Sequence, residues 1–276
     1  FGSSHFTSRC PCSPPLQRIA MGAKHTVLIR DDGRAVAFGD NHRGQCNVPD
    51  LPEGVRYTAA AAGPEHTVLI RDDGQAVAFG KDENGMCSVP RLPDGCRYVA
   101  AAAGTDHTVL LRDDGRAVAF GHPGEGRCEV PDLPEGRRYV AAAAGSEHTV
   151  LLVDNGEVRA FGKDDERCAV PPAPPGTRYI SVAACFNHTM LLRDDGCVVS
   201  LTAGGIEVPI LPEGRRFEAV SVSTDHAVFL LDDGTALCAG NAADGRCAVP
   251  ELPDGRRYVA AAALFERSVL IRDDGT

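Results

Sequence analysis

Short apolar runs alternate with tight turn signals along the whole chain, and the alternation repeats. Around the middle it reads Tyr98-Val-Ala-Ala-Ala-Ala103 closed by Gly104, then His107-Thr-Val-Leu-Leu-Arg112, then Asp113-Asp114-Gly115, then Ala117-Val-Ala-Phe120 with Gly121. The residue opening the middle run marks the copies: His25, His66, His107, His148, His188, His226 and, as a departure, Arg267. Successive intervals are 41, 41, 41, 40, 38 and 41 residues by subtraction. Seven copies at a near-constant period define a repeat architecture, in which no unit buries its apolar sides alone.

Each run is too short for a typical helix, and an x-Asp-Gly step between β-rich runs signals a hairpin, so each copy is predicted to be three antiparallel strands. The middle strand is apolar on both sides, with Val109 and Leu111 one way and Thr108 and Leu110 the other. A strand without polar alternation needs cover on both faces, which neighbouring copies supply by stacking. Small Ala117 and Ala119 against large Val118 and Phe120 suit that nesting, and the alanine strand fits where sheets converge on an axis. The expectation is all-β: a seven-bladed β-propeller of three- to four-stranded antiparallel blades, one domain over residues 1–276. The chain stops at Asp273-Asp-Gly-Thr276, before a third strand, and starts with Phe1-Gly2, which end such a strand. The N- and C-terminal segments are therefore expected to close the ring, with irregular residues 1–20 as the closure segment.

Composition narrows the function classes. A formal charge of −10 disfavours nucleic acid and anionic membrane as partners. No apolar run approaches transmembrane length, and no signal peptide is visible; the opening at Phe1 rather than Met fits one region of a larger protein. Five of the eleven cysteines, Cys46, Cys87, Cys128, Cys168 and Cys247, occupy one repeat position, and neighbouring copies hold equivalent residues too far apart for a disulfide. They are read as small buried thiols of an intracellular protein, cytoplasmic or nuclear. No nucleophile elbow, phosphate loop, zinc motif or dinucleotide fingerprint occurs, so neither catalysis, a metal nor a cofactor is expected.

Candidate chemistry gathers on one face, here the first face, where the middle strand begins. The residue before each middle strand is Lys24, Glu65, Asp106, Glu147, Asn187, Asp225 or Glu266, a ring rich in carboxylates. Beside it run variable connectors such as Asp40-Asn-His42-Arg43. The ring is either a docking surface for a partner with basic residues or a solvated rim that keeps a repeat protein soluble. Copies five to seven depart most: Cys185-Phe186 stands for Ala-Gly, Ala227 for Thr, and Leu264-Phe265-Glu266-Arg267 for Gly-x-x-His. Phe186 and Phe265 are the aromatic candidates on this face. The repeated histidines are read as hydrogen-bond donors inside their own blades rather than as metal ligands. Two arginine series (Arg30, Arg71, Arg112, Arg193, Arg272 and Arg56, Arg97, Arg138, Arg178) are read as inter-blade or turn-stabilising pairs.

Copies of the form A-A-G-x-x-H-T-V-x-L-x-x-D-G-x-A-V-A-F-G-x-N-x-x-G-Q-C resemble the regulator of chromosome condensation repeat, over essentially the whole chain. Phe38, Phe79, Phe120 and Phe161 stand where that family has Trp, and Cys46 where it has Leu. The short period and the Val-Pro connector look more like the β-lactamase-inhibitor protein II type of seven-bladed propeller. The resemblance implies a rigid protein-interaction scaffold, a monomeric domain such as the partner-recruiting propeller of a HECT-type ubiquitin ligase. It implies two alternatives. Guanine-nucleotide exchange on a small GTPase is disfavoured by uniform intervals that leave no room for an inserted wedge. An inhibitor-type binding protein is disfavoured by few aromatics and no Trp.

Overall fold

The computed structural model describes residues 18–163, 166–202, 206–265 and 267–275. Its strands form seven separate antiparallel sheets in chain order, each with the strand order first–middle–third. Six sheets have three strands; the seventh has two, Tyr258–Leu264 and Arg267–Arg272. The alanine run is a strand: Tyr98–Ala103 pairs with His107–Arg112, which pairs with Ala117–Gly121. Helix among the described residues is confined to single turns such as Glu83–Gly85 and Gly124–Gly126 in the connectors.

Each sheet packs face to face on the next. Val68 and Ile70 of the second sheet meet Tyr98, Ala101 and Leu110 of the third, while Leu69 points back to Val27 and Ile29 of the first. The same interleaving repeats up to the contact of Val228 and Leu230 with Ala261 and Ala263. Middle strands are consequently buried on both sides, each large side chain contributing roughly 1.5–3 kcal/mol. Alanine strands of successive sheets touch one another, as their small side chains allow. Among the described residues the first sheet lacks this cover on one face: Leu28 is half-buried and Phe38 is 52% exposed, whereas Phe79, its counterpart, packs on the first sheet. Among the described residues no core cluster joins the seventh sheet to the first, and Phe1-Gly2 lie outside the described residues.

Polar bonds tie neighbours in a fixed direction. His25 Nε2 lies 2.9 Å from Thr67 Oγ1 of the next sheet, and that hydroxyl donates to the Gln45 carbonyl at 2.8 Å. With its proton given to the carbonyl, the hydroxyl accepts from His25, so Nε2 carries the ring proton. His66–Thr108, His107–Thr149 and His226–Ser268 repeat the contact at 3.1, 2.9 and 2.9 Å. This corrects the expectation that each histidine bonds within its own blade: its partner lies one copy onward. Burial holds the His25 and His66 rings neutral, with pKa values lowered to about 4. Where Ala227 removes the hydroxyl, His188 Nε2 instead donates to the Thr224 carbonyl at 2.7 Å.

On the opposite face the Asp-Gly turns accept from the sheet that follows. Tyr98 N donates to the Gly74 carbonyl at 2.8 Å, and the Arg97 guanidinium donates to the Asp72 carbonyl. Gly74 has φ +84°, and an added Cβ there would collide with the Arg97 side chain, so both backbone and space require glycine. Arg71, Arg112 and Arg193 each pair with the aspartate two residues on, across their own turn. Tyr57, Tyr98, Tyr139, Tyr179 and Tyr258 donate their hydroxyls to the prolyl carbonyls of the connectors at 2.7–3.0 Å.

One cysteine departs from the expected thiols. Cys247 is joined to Cys238 in a disulfide with Cα atoms 5.2 Å apart. Equivalent cysteines in adjacent copies do not pair; here both partners belong to one copy, Cys238 standing on the third strand where Ala37, Ala78 and Ala119 stand elsewhere. Cys46, Cys87 and Cys128, at the position of Cys247, remain thiols, donating to the carbonyls of Asp40, Lys81 and His122. Burial raises the Cys87 thiol to about 12.

Candidate functional site

The turns of the first face come in two builds. In the first four sheets a glycine precedes the turn, and its own histidine ring lies over it: a Cβ on Gly63 would collide with the His66 ring and the Gly104 carbonyl. In the fifth sheet the first strand runs one residue further, Tyr179–Cys185, and pairs Cys185 with His188. Cys185 therefore occupies the glycine position, which corrects the expectation that Cys185-Phe186 stands for Ala-Gly, and Phe186 has the position of Pro64, Thr105 and Ser146. The His188 ring bonds the Thr224 carbonyl rather than a threonine hydroxyl. Only Phe186 and Asn187 are left to turn the chain, and Phe186 takes φ +46°. The seventh sheet does the same: Leu264 pairs with Arg267, and Phe265 takes φ +51°.

Bulky L-residues rarely adopt that left-handed backbone. Yet both phenylalanines do, and their rings meet edge to face with centroids 5.5 Å apart and planes at 89°. The pair lies at the mouth where the alanine strands converge, beside Ala62, Ala103, Ala144 and Ala184. The sequence marked both residues by type; nothing in it marked their backbone.

The acidic ring is laced with cations from the connectors. Lys81 Nζ reaches Glu65 at 3.5 Å, Glu83 at 3.2 Å and Asp106 at 3.5 Å. His42 lies 2.8 Å from Asp40 and 3.2 Å from Glu65, and Arg43 lies 3.8 Å from Glu83. These contacts bring Glu65, Asp106, His42 and Arg43 into one network. Glu147 pairs with Lys163 at 3.2 Å and Arg167 at 3.3 Å, and those bonds hold its carboxyl below the usual range. Asp225 bonds the Arg246 guanidinium and lies 3.4 Å from His226; burial works against its ionisation, but these bonds outweigh it and its pKa is lowered. Asp225 stands apart on the sixth sheet, and Glu266 lies outside the described residues. Lys81 and Lys163 open variable connectors beside the ring, as the sequence indicates, whereas sequence reasoning missed Arg167 and Arg246. The available signal was the Arg directly before Cys128, Cys168 and Cys247, on the face that carries the carboxylates.

Between the turns of the third, fourth and fifth sheets lies an open hollow of about 560 Å³. Asp106, Glu125, Arg127, Glu147 and Phe186 line it, above a Thr105–Ser146 hydroxyl contact of 2.9 Å. Arg127 is almost fully buried and donates to the carbonyls of Gly124 at 2.8 Å and Ser146 at 2.7 Å. Of the carboxylates here, Asp106 faces Lys81, and Glu147 faces Lys163 and Arg167. Among the described residues no group of three His, Cys, Asp or Glu side chains could hold a metal ion, and no helix is long and apolar enough to cross a membrane.

No curated protein matches the chain by sequence. Solved structures match it along most of its length. Human WBSCR16 superposes with a TM-score of 0.76 at 17% identity, over 92% of this chain and 87% of that one. Prp20p from Saccharomyces cerevisiae gives 0.72 at 17% identity, over 88% and 79%. The CRINKLY WD40 ectodomain of the Arabidopsis thaliana receptor kinase ACR4 gives 0.67 at 17% identity, over 92% and 89%. At these identities the likeness is one of fold. The sequence description "Regulator of chromosome condensation (RCC1) repeat" matches residues 17–45 and 139–168, which are the first copy and the span joining the fourth to its connector. These two segments, from the first and the fourth copy, are similar to that repeat, and the chain as a whole shares the fold of the solved structures.

Proposed function

We propose that the chain is a non-catalytic protein-interaction scaffold whose partner docks on the first face. The observation that carries this reading is the pair Phe186–Phe265. Holding a bulky residue in the left-handed region costs on the order of 1–3 kcal/mol, and two sheets accept that cost at the same turn. The result is an aromatic anchor at the centre of a face whose rim is charged, the arrangement that buried interface centres favour. Glu65, Asp106, Glu147, Asp225, His42 and Arg43 form that rim, to which Glu266 is assigned by its repeat position alone, and with a chain charge of −10 they suit a partner with a basic surface.

In this reading the propeller is a ring closed by its N- and C-terminal segments, and it acts as a single monomeric body. Cys46, Cys87, Cys96, Cys128, Cys185 and Cys197 remain thiols, which supports a cytoplasmic or nuclear setting. Recruitment of partners to a HECT-type ubiquitin ligase is one task that such a face serves. A second reading, exchange of guanine nucleotide on a small GTPase, is favoured by the fold shared with Prp20p, whose structure is described with its binding to Gsp1p and histones.

A photo-crosslinking amino acid placed at Phe186 or Asn187, and in parallel at Asp73 or Asp114 on the opposite face, tests the assignment. Partner adducts are expected from the first pair of positions. Adducts formed only from the Asp-Gly turns would sink it. Accelerated nucleotide release from a small GTPase would move the weight to the second reading.

A further inference from the structure

The repeat provides its own control for the hollow. In copies four and six the carboxylate before the middle strand binds the connector arginine: Glu147 with Arg167 at 3.3 Å, and Asp225 with Arg246. Copy three has both residues, Asp106 and Arg127, at the same positions, but no ion pair joins them. Arg127 is held instead by the carbonyls of Gly124 and Ser146. Asp106 keeps only Lys81, at 3.5 Å, and shares it with Glu65 and Glu83. The hollow of about 560 Å³ opens between the two.

We propose that this hollow receives the guanidinium of an arginine side chain of the docked protein. The inference rests on the docking face proposed above. In copy six, whose connector has the same length, and in copy four, whose connector is one residue shorter, the carboxylate at this position binds a guanidinium, and in copy three the internal one is turned away. Glu125 and Glu147 also line the space; Glu147 is matched by Lys163 and Arg167, which leaves Asp106 and Glu125 to face a guest. Phe186 supplies an aromatic wall for the flat cation. A planar fork can engage two carboxylates while stacking, which an ammonium cannot, so arginine is preferred over lysine.

The probes are N-acetyl-arginine amide and its lysine and glutamate counterparts, titrated into the full chain by NMR. Saturable binding is expected for the arginine probe, at least threefold tighter than for lysine, weakened tenfold or more by D106N and several-fold by E125Q. The variant D73N, on the Asp-Gly turn of the opposite face, should leave that affinity unchanged. No saturable binding, binding indifferent to both D106N and E125Q, or preference for the glutamate probe would overturn the inference. The same variants in the crosslinking assay separate the two proposals. Partner adducts at Phe186 that survive D106N and E125Q would overturn the arginine pocket and leave the docking face standing; adducts confined to the opposite face would remove both.

Discussion

Thr67 serves two neighbours at once, accepting from His25 and donating to the Gln45 carbonyl. Replacing it with valine keeps the shape and leaves both buried groups without a partner. Each stranded group costs about 1–3 kcal/mol, so Thr67→Val should lower unfolding free energy by about 2–4 kcal/mol in urea denaturation, with an unchanged m-value. The histidines set a pH dependence. Their folded pKa values, about 4 for His25 and His66 and about 3 for His107, lie below the ordinary 6.5. The unfolded chain therefore binds protons more readily, and the stability these rings hold is complete above pH 6.5 and lost as pH falls toward 4. Each contributes up to about 3 kcal/mol of that loss. The lowered carboxyls of Glu147 and Asp225 act in the same direction at lower pH. His66→Gln, which keeps a donor for Thr108 without a titrating ring, should flatten the Tm–pH curve between 6.5 and 4; an unchanged slope would exclude the ring as its source.

At the scale of the element, the turns of the fifth and seventh sheets carry both strain and contact. Phe186→Asn relieves the left-handed backbone, worth about 1 kcal/mol or more, and forfeits an edge-to-face contact worth about 0.5–1.5 kcal/mol. Stability should shift by about 1 kcal/mol or less while partner crosslinking from Asn187 is lost. The disulfide closes a short loop, with a sequence separation of 9. Cys238→Ala should cost about 2–3 kcal/mol under oxidising conditions by loop-closure entropy, and nothing in reducing buffer. Strands, turns and the stacking of sheets were legible because apolar periodicity and Asp-Gly steps are local. The histidine partner was not, since Thr67 lies 42 residues on from His25, at almost the same repeat position, where a reading of one copy cannot see it. The disulfide escaped because Cys238 replaces an alanine, and cysteines were compared only between copies. The hollow depends on which way Arg127 turns, a choice made between two carbonyls and a carboxylate that residue type does not reveal.

For the whole molecule, the open question of shape reduces to one face. Leu28 and Phe38 of the first sheet hold the positions that Leu69 and Phe79 fill against a preceding sheet. Closure by the seventh sheet predicts that Phe38→Ser destabilises the chain by about 2 kcal/mol or more, as for loss of a packed aromatic. An open array predicts a change within about 0.5 kcal/mol, as for an exposed side chain. Calorimetry of that single variant decides. The forward reach of each histidine to the next copy's hydroxyl has a genetic corollary. Among the first four copies, gain or loss of one full period leaves each histidine opposite a hydroxyl, so tandem duplication and deletion there keep this contact intact. A breakpoint that splits the period strands one half of a handshake, and so the register of recombination, more than the number of repeats, is what selection polices.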